Sequence, residues 1–157
     1  MIKFRTISLF PNAATFPHLS ADIDINNYSV MEMNQGTKKA VYATAATAGK
    51  DLAIVMQEFW NRTGDFYFTG KILEAKKKLL LVSLEALATR ELDIDAKHIN
   101  GSLDGSGNLI VALDAALVPD GTGNLVVGTA PTSGVYLKVT GFTTLTEKAV
   151  TAQIIKI

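Results

Sequence analysis

An eight-residue sequence that occurs twice organises the C-terminal half of this chain. The first copy is Asp104-Gly105-Ser106-Gly107-Asn108-Leu109-Ile110-Val111, and the second is Asp120-Gly121-Thr122-Gly123-Asn124-Leu125-Val126-Val127. Glycine and asparagine tolerate the positive φ angles of tight turns. The apolar run that follows each turn favours a strand. The repeat therefore predicts short strands joined by tight turns.

The remainder of the C-terminal half continues this pattern. Residues 135–139 alternate between apolar and polar side chains, which predicts a strand. Residues 141–147 are rich in threonine and are predicted to form a turn or bend. Residues 149–157 are predicted to form a final strand.

Alternating segments separated by turn residues predict strands in the first half as well. The predicted strands are residues 28–33, 39–47, 52–60 and 66–69, and the predicted turns are residues 34–37, 49–51 and 61–65. Turn signals at such short intervals favour a β sandwich or a small barrel.

Residues 71–92 fit two different structures. Leucines at heptad spacing favour a helix. The run Leu79–Val82 instead suits a strand that a sheet buries on both faces, with Lys76–Lys78 as its solvated lead-in. The mixed alternative has a strand at residues 78–84, a turn at 88–90 and a strand at 92–94.

An irregular N-terminal segment, residues 1–27, is predicted to precede a β-rich domain at residues 28–157. Its two prolines and two adjacent asparagines interrupt any long element. The segment either docks on a neighbouring subunit or forms an edge strand of its own sheet. The predicted fold is mainly β: a single-domain sandwich or small barrel of short antiparallel strands, with at most one short helix.

The composition narrows the classes of function. Fifteen basic residues balance fifteen acidic ones, so there is no sign of the positive surface that nucleic-acid binding needs. The chain has no cysteine, which excludes disulfides, cysteine–zinc sites and a cysteine nucleophile. Charged residues make up only 19%, and mean hydropathy is +0.22. Either the core is large or apolar surface contacts a partner.

Neither membrane insertion nor export is indicated. No apolar run approaches the roughly 20 residues that span a bilayer. Charged residues and prolines in residues 1–20 interrupt any signal-peptide core. We therefore expect a protein that is made in the cytoplasm and has no membrane partner.

The two glycine-rich loops do not match a ligand-binding motif. Ile110 and Val126 stand where the pattern Gly-x-Gly-x-x-Gly needs its third glycine. Calcium takes six to eight oxygen ligands, and each loop supplies a single carboxylate. We therefore interpret the loops as turns and predict no metal and no cofactor, although oxygen donors are present at Asp104, Asn108, Asp120 and Asn124.

No catalytic set is evident, and we predict that the protein is not an enzyme. His98 with Asp93 and Asp95 forms the only local cluster of titratable residues, which we interpret as a solvated loop. The other histidine, His18, also lies in a turn-like context, and no Gly-x-Ser-x-Gly nucleophile elbow occurs.

Three further features have simple structural interpretations. Lys76–Lys78 is predicted to be a solvated end of an element. Asn61-Arg62-Thr63 matches the glycosylation pattern but means little without a signal peptide. The aromatic residues are expected to fill the sheet core, with an exposed fraction as an interface anchor; they are Phe59, Trp60, Phe66, Tyr67 and Phe68.

The order of these segments resembles small structural proteins of tailed bacteriophages, particularly head decoration or auxiliary capsid proteins. The resemblance covers about residues 28–157. It rests on the order of Trp60-Asn61, the aromatic strand, the lysine-led apolar strand, Leu92-Asp93-Ile94, the Asp-Gly turns with Asn-Leu, and the closing segments Gly134–Val139 and Ala149–Ile154.

The resemblance implies a β-rich protein without catalytic activity that binds and stabilises the outside of a mature capsid. Its partners would be the major capsid protein and further copies of itself, and its location would be the virion surface. Two alternatives remain from the residues: another phage tail or head-fibre component, and a sugar- or small-ligand-binding β barrel with a pocket lined by Trp60.

Overall fold

The computed structural model describes residues 2–4, 19–45, 51–56, 72–145 and 147–157. Within these ranges the regular structure consists of strands, with 3-10 helices at Glu85–Leu87 and Ala96–His98. The strands are β1 Ile2–Phe4, β2 Ile25–Asn26, β3 Val30–Asn34, β4 Lys39–Tyr42, β5 Leu52–Val55, β6 Ile72–Leu73, β7 Leu81–Ser83, β8 Glu91–Asp95, β9 Ile99–Asn100, β10 Ala116–Pro119, β11 Leu125–Gly128, β12 Val135–Thr144 and β13 Lys148–Lys156.

The strands form two large sheets and one small ribbon. The larger sheet has seven strands in the order β1-β8-β13-β12-β10-β11-β9, and the second has four in the order β4-β3-β5-β7. Strands β2 and β6 form the ribbon. All pairs are antiparallel except β9 with β11. The described strands close no barrel, and the predicted mainly β sandwich is confirmed.

The main core lies between the two large sheets. Alternate residues of β12 and β13 point into it, and this long hairpin forms the centre of the seven-stranded sheet. The four-stranded sheet contributes the opposite wall. Fully buried side chains from the two walls include Leu92, Ile94, Leu137 and Ile154 on one side and Ile54 and Leu84 on the other.

A second core covers the outer face of the four-stranded sheet. Leu19 and Ala21 pack there, together with Ile25 of β2 and Leu73 of β6. Ser20 forms isolated bridges to both Lys39 and Lys78 and so links the two margins of the sheet. The four-stranded sheet is therefore buried on both faces.

The ambiguous stretch adopts the mixed alternative, and its helical interpretation is wrong. Leu81 packs in the outer core and Val82 in the main core, so the predicted strand buried on both faces is confirmed. Positive φ angles at Lys76 (64°) and Thr89 (72°) are incompatible with a continuous helix. The helical part is limited to the single turn Glu85–Leu87.

Two predictions in the C-terminal half are wrong. Residues 141–144 continue β12 instead of forming a turn, because a bulge between Val139 and Gly141 absorbs the irregularity. The apolar run after the first glycine-rich turn is not a strand of either large sheet. It makes a single bridge, Leu103 to Leu109, and Val111 then turns into the main core.

The described parts of the N-terminal segment join the sheets. Residues 2–4 are β1, an edge strand that pairs with β8, which is the second of the two alternatives for this part. Residues 19–27 contribute Leu19, Ala21 and Ile25 to the outer core, and β2 pairs with β6. Residues 5–18 lie outside the described residues, as do 57–71, which include the predicted aromatic strand and the end of the predicted strand 52–60.

Because the four-stranded sheet is buried on both faces, we expect a cavity-forming substitution on either face to destabilise the protein. Ile54→Ala opens a cavity in the main core and Leu81→Ala opens one in the outer core. Each should lower the free energy of unfolding by about 2–5 kcal/mol, as measured by urea denaturation. Ile72→Ala, at a position that is 58% exposed on β6, is the control and should change it by about 0.5 kcal/mol or less. A negligible effect of Leu81→Ala would contradict a buried outer face.

Candidate interaction surface

The two glycine-rich loops share three internal hydrogen bonds. We call residues 104–108 the first loop and residues 120–124 the second loop. In the first loop, Asp104 Oδ1 accepts hydrogen bonds from the backbone N–H groups of Ser106 and Asn108, at 2.8 and 2.7 Å. The Asp104 N–H donates to the Asn108 carbonyl at 2.8 Å. The aspartate side chain therefore holds the turn closed.

The second loop repeats these bonds. Asp120 Oδ1 accepts from the N–H groups of Thr122 and Asn124, at 2.7 and 3.1 Å. The Asp120 N–H donates to the Asn124 carbonyl at 3.0 Å. The aspartate and asparagine positions of the repeat are thus explained by local bonding.

The same hydrogen bonds affect the ionisation of the Asp104 side chain. Backbone and side-chain hydrogen bonds from Asn108, and a backbone bond from Ser106, lower the pKa of the Asp104 carboxyl. The nearby Lys148 charge acts in the same direction. The carboxylate is engaged by its own loop. Among the described residues, no group of three acidic or histidine side chains is placed to hold a metal ion.

The second loop docks against the four-stranded sheet. The Gly121 N–H donates to the Ala43 carbonyl at 3.0 Å, and the Gly123 carbonyl accepts from the Val30 N–H at 2.8 Å. An added Cβ on Gly123 would lie 2.7 Å from Ser29 Oγ. The loop therefore fastens the β10–β11 hairpin to the ends of β3 and β4.

The first loop is exposed instead. All of its residues lie at the surface, and an added Cβ at Gly105 or Gly107 would meet nothing within 4 Å. Its contact with the seven-stranded sheet comes through Lys148, whose Nζ donates to the Gly107 carbonyl at 2.9 Å and to Asn108 Oδ1 at 3.2 Å.

Apolar side chains surround the base of the first loop. Leu103 and Leu109 pair across it, and Ile110 follows with 59% of its surface exposed. Phe142, which is 51% exposed, lines a shallow surface depression of about 370 Å³ with Asn108, Leu109 and Lys148. We call Leu103, Leu109, Ile110 and Phe142 the hairpin patch. It combines exposed apolar area with the exposed backbone of a glycine loop, as protein-binding surfaces do.

The predicted cluster around His98 is only partly assembled. His98 packs edge-on against Tyr28, with ring centroids 5.7 Å apart. Lys97 Nζ lies 4.0 Å from the buried carboxylate of Asp95. Asp93 lies apart from the histidine and accepts a hydrogen bond from the Thr151 hydroxyl at 2.7 Å. The interpretation of the cluster as a solvated loop is wrong, because both carboxylates are buried.

Burial is the largest cause of the pKa shifts of His98 and Tyr28. It lowers the pKa of His98 to about 4, assisted by nearby positive charges including Lys97 and opposed by Asp95 and by a hydrogen bond with the Asn124 side chain. Burial, and secondly the Asp95 charge, raise the pKa of the Tyr28 hydroxyl to about 12. Both side chains are therefore neutral at pH 7, and His98 supports the second loop from behind.

The other residues singled out from the sequence do not contribute to this surface. Lys77 makes an exposed ion pair with Glu74 at 3.9 Å, and Lys78 takes part in the bridge to Ser20. His18, the Asn61–Thr63 pattern and the aromatic group at residues 59–68 lie outside the described residues. Phe142 was missed because its threonine-rich surroundings suggested a turn.

Comparison with known proteins brings no match: neither a protein-family model nor a curated protein sequence matches this chain. In the part of the chain that the structure describes, no helix has the length and apolar character needed to cross a membrane.

The second loop lies close to the four-stranded sheet, whereas the first loop does not. Alanine substitutions at equivalent glycines of the two loops should therefore lower the free energy of unfolding by different amounts. Gly123→Ala places a Cβ 2.8 Å from Tyr42 Cε1 at a φ of +95° and should lower the free energy of unfolding by about 3 kcal/mol. Gly107→Ala, at a φ of +76° but in open space, should cost about 1 kcal/mol. Urea denaturation of both variants measures the difference, and equal costs would contradict the docking of the second loop.

Because burial lowers the pKa of His98, we expect the stability of the protein to depend on pH. The folded-state pKa of His98, about 4, lies below the unfolded value of about 6.5, so the unfolded chain binds the proton first as the pH falls. Its contribution is complete above about pH 6.5 and is lost as the pH falls towards 4, by about 2 kcal/mol after allowance for the partial exposure of the ring. The measurement is urea denaturation at several pH values for the wild type and His98→Gln. Identical pH dependence in the two proteins would rule out this role for His98.

Proposed function

We propose that this protein is a non-enzymatic structural protein of a tailed bacteriophage, which binds and stabilises the outer surface of the mature capsid as a decoration protein. The observation that carries the proposal is the hairpin patch with the first loop at its tip. A second copy of that loop in the same chain already binds protein backbone, through Gly121 and Gly123. The exposed copy thus offers a contact chemistry that the molecule itself uses.

The scaffold suits such a role on physical grounds. The four-stranded sheet is packed on both faces, so the second loop stands on a framework with little freedom to move, and Lys148 holds the first loop to the seven-stranded sheet. A formal net charge of zero leaves little electrostatic repulsion between neighbouring copies. On a symmetric shell, many copies bind at once, so a weak contact by each copy is sufficient.

The resemblance in segment order to head decoration proteins gives the proposal its specific form. It names the major capsid protein as the partner and the virion surface as the location, and it makes self-association on the lattice part of the function. The hairpin patch supports protein binding in general, and the resemblance supports the capsid as the protein that is bound.

Co-sedimentation tests the proposal. The purified protein is mixed with mature shells of the source phage that were assembled without it, and separately with unexpanded procapsids. We expect saturable binding to mature shells and an increase in their heat stability. Phe142→Ser should weaken this binding about tenfold or more, whereas Ile72→Ser, at an equally exposed position on β6, should bind as the wild type does.

Absence of binding to either shell would overturn the capsid proposal. If binding is unaffected by Phe142→Ser but lost in Ile72→Ser, the capsid function stands and the contact surface is the β2–β6 ribbon instead of the hairpin patch.

A further inference from the structure

The two loops have nearly the same sequence and yet differ in backbone conformation at one residue. Gly121 of the second loop has a φ of +88°, and its N–H points outwards to the Ala43 carbonyl. The equivalent Gly105 of the first loop does not have a positive φ. There the turn is closed by the Gly107 N–H, which donates to the Asp104 carbonyl at 2.9 Å. The docked loop and the exposed loop are thus two conformations of nearly the same sequence, which differs only at Ser106 and Thr122.

The glycine at position 105 is not explained by the exposed state. Its φ is open to any residue, and a Cβ would contact nothing within 4 Å. Glycine also loses more conformational freedom on folding than any other residue. In the docked conformation, by contrast, a positive φ at this position strongly favours glycine.

We infer that the first loop switches to the conformation of the second loop when it binds the partner, and that it docks there across the ends of two neighbouring antiparallel strands. This inference rests on the proposed function, which makes the partner a shell subunit. The Gly105 N–H would donate to a carbonyl at the end of one strand. The Gly107 carbonyl would accept from an N–H on the adjacent strand.

The docking site of the second loop shows what the partner has to supply. Val30 and Ala43, at neighbouring ends of β3 and β4, present the N–H and the carbonyl, and the Ser29 side chain leaves room for a glycine Cα but not for a Cβ. In the free state Lys148 Nζ binds the Gly107 carbonyl. The partner N–H takes over that acceptor and releases the lysine.

Gly105→Ala separates this switch from the stability of the fold. The alanine fits the free conformation, so its thermal unfolding midpoint should equal or slightly exceed that of the wild type. It resists the positive φ of the docked conformation, so binding to mature shells should weaken about tenfold. Gly36→Ala is the matched control, because Gly36 is another exposed turn glycine without a positive φ.

Hydrogen exchange on the shell-bound protein provides a second measurement. The peptide that contains residues 103–110 should gain protection on binding, because the Gly105 N–H becomes hydrogen-bonded. The peptide that contains residues 119–126 should not change, because the second loop is already docked.

The outcomes separate the inference from the proposed function. Selective loss of binding in Gly105→Ala, with protection of residues 103–110, supports the switch. Equal binding by the wild type, Gly105→Ala and Gly36→Ala overturns the switch and leaves the capsid function intact. If the wild type itself does not bind shells, the proposed function fails and the inference fails with it.

Discussion

The docking of the second loop onto the ends of β3 and β4 is the constraint that orients the two large sheets. Two backbone hydrogen bonds, from Gly121 to Ala43 and from Val30 to Gly123, join elements that are far apart in sequence. They form only because Gly123 has no side chain, so that its backbone can lie against Ser29 and Tyr42. His98 lies behind the loop, and its neutral ring preserves a buried environment that a charged ring would disturb.

The duplicated sequence therefore provides an internal comparison that is seldom available within one chain. The two backbone hydrogen bonds that Oδ1 accepts are the same at Asp104 and Asp120, so these bonds belong to the sequence itself. The conformations at Gly105 and Gly121 differ, so this difference belongs to the surroundings. One turn sequence can thus be stable both when free and when docked, because its aspartate satisfies the loop amides in either state.

Local patterns in the sequence predicted the elements but not how they meet. The strand buried on both faces at Leu81 and Val82 follows from a short apolar run, and the strands at residues 135–139 and 149–156 follow from alternation. The docking of one loop and the exposure of the other do not follow, because the two loops differ only at Ser106 and Thr122 and local patterns do not show which copy meets the four-stranded sheet. Phe142 was hidden for a related reason, since a bulge allows β12 to continue through a threonine-rich stretch that locally favours a turn.

The fold offers an explanation for the apolar composition of the chain that needs no partner. A chain with 19% charged residues needs either a large core or apolar contact surface, and here two cores on opposite faces of one sheet bury many of the apolar side chains that the structure describes. Low charge is thus explained within the molecule and gives little support for a partner by itself. The apolar residues that the cores leave exposed at the first loop are better evidence for a binding surface. Their position beside a free copy of a protein-binding turn is what distinguishes them from the scattered exposed side chains that any protein carries.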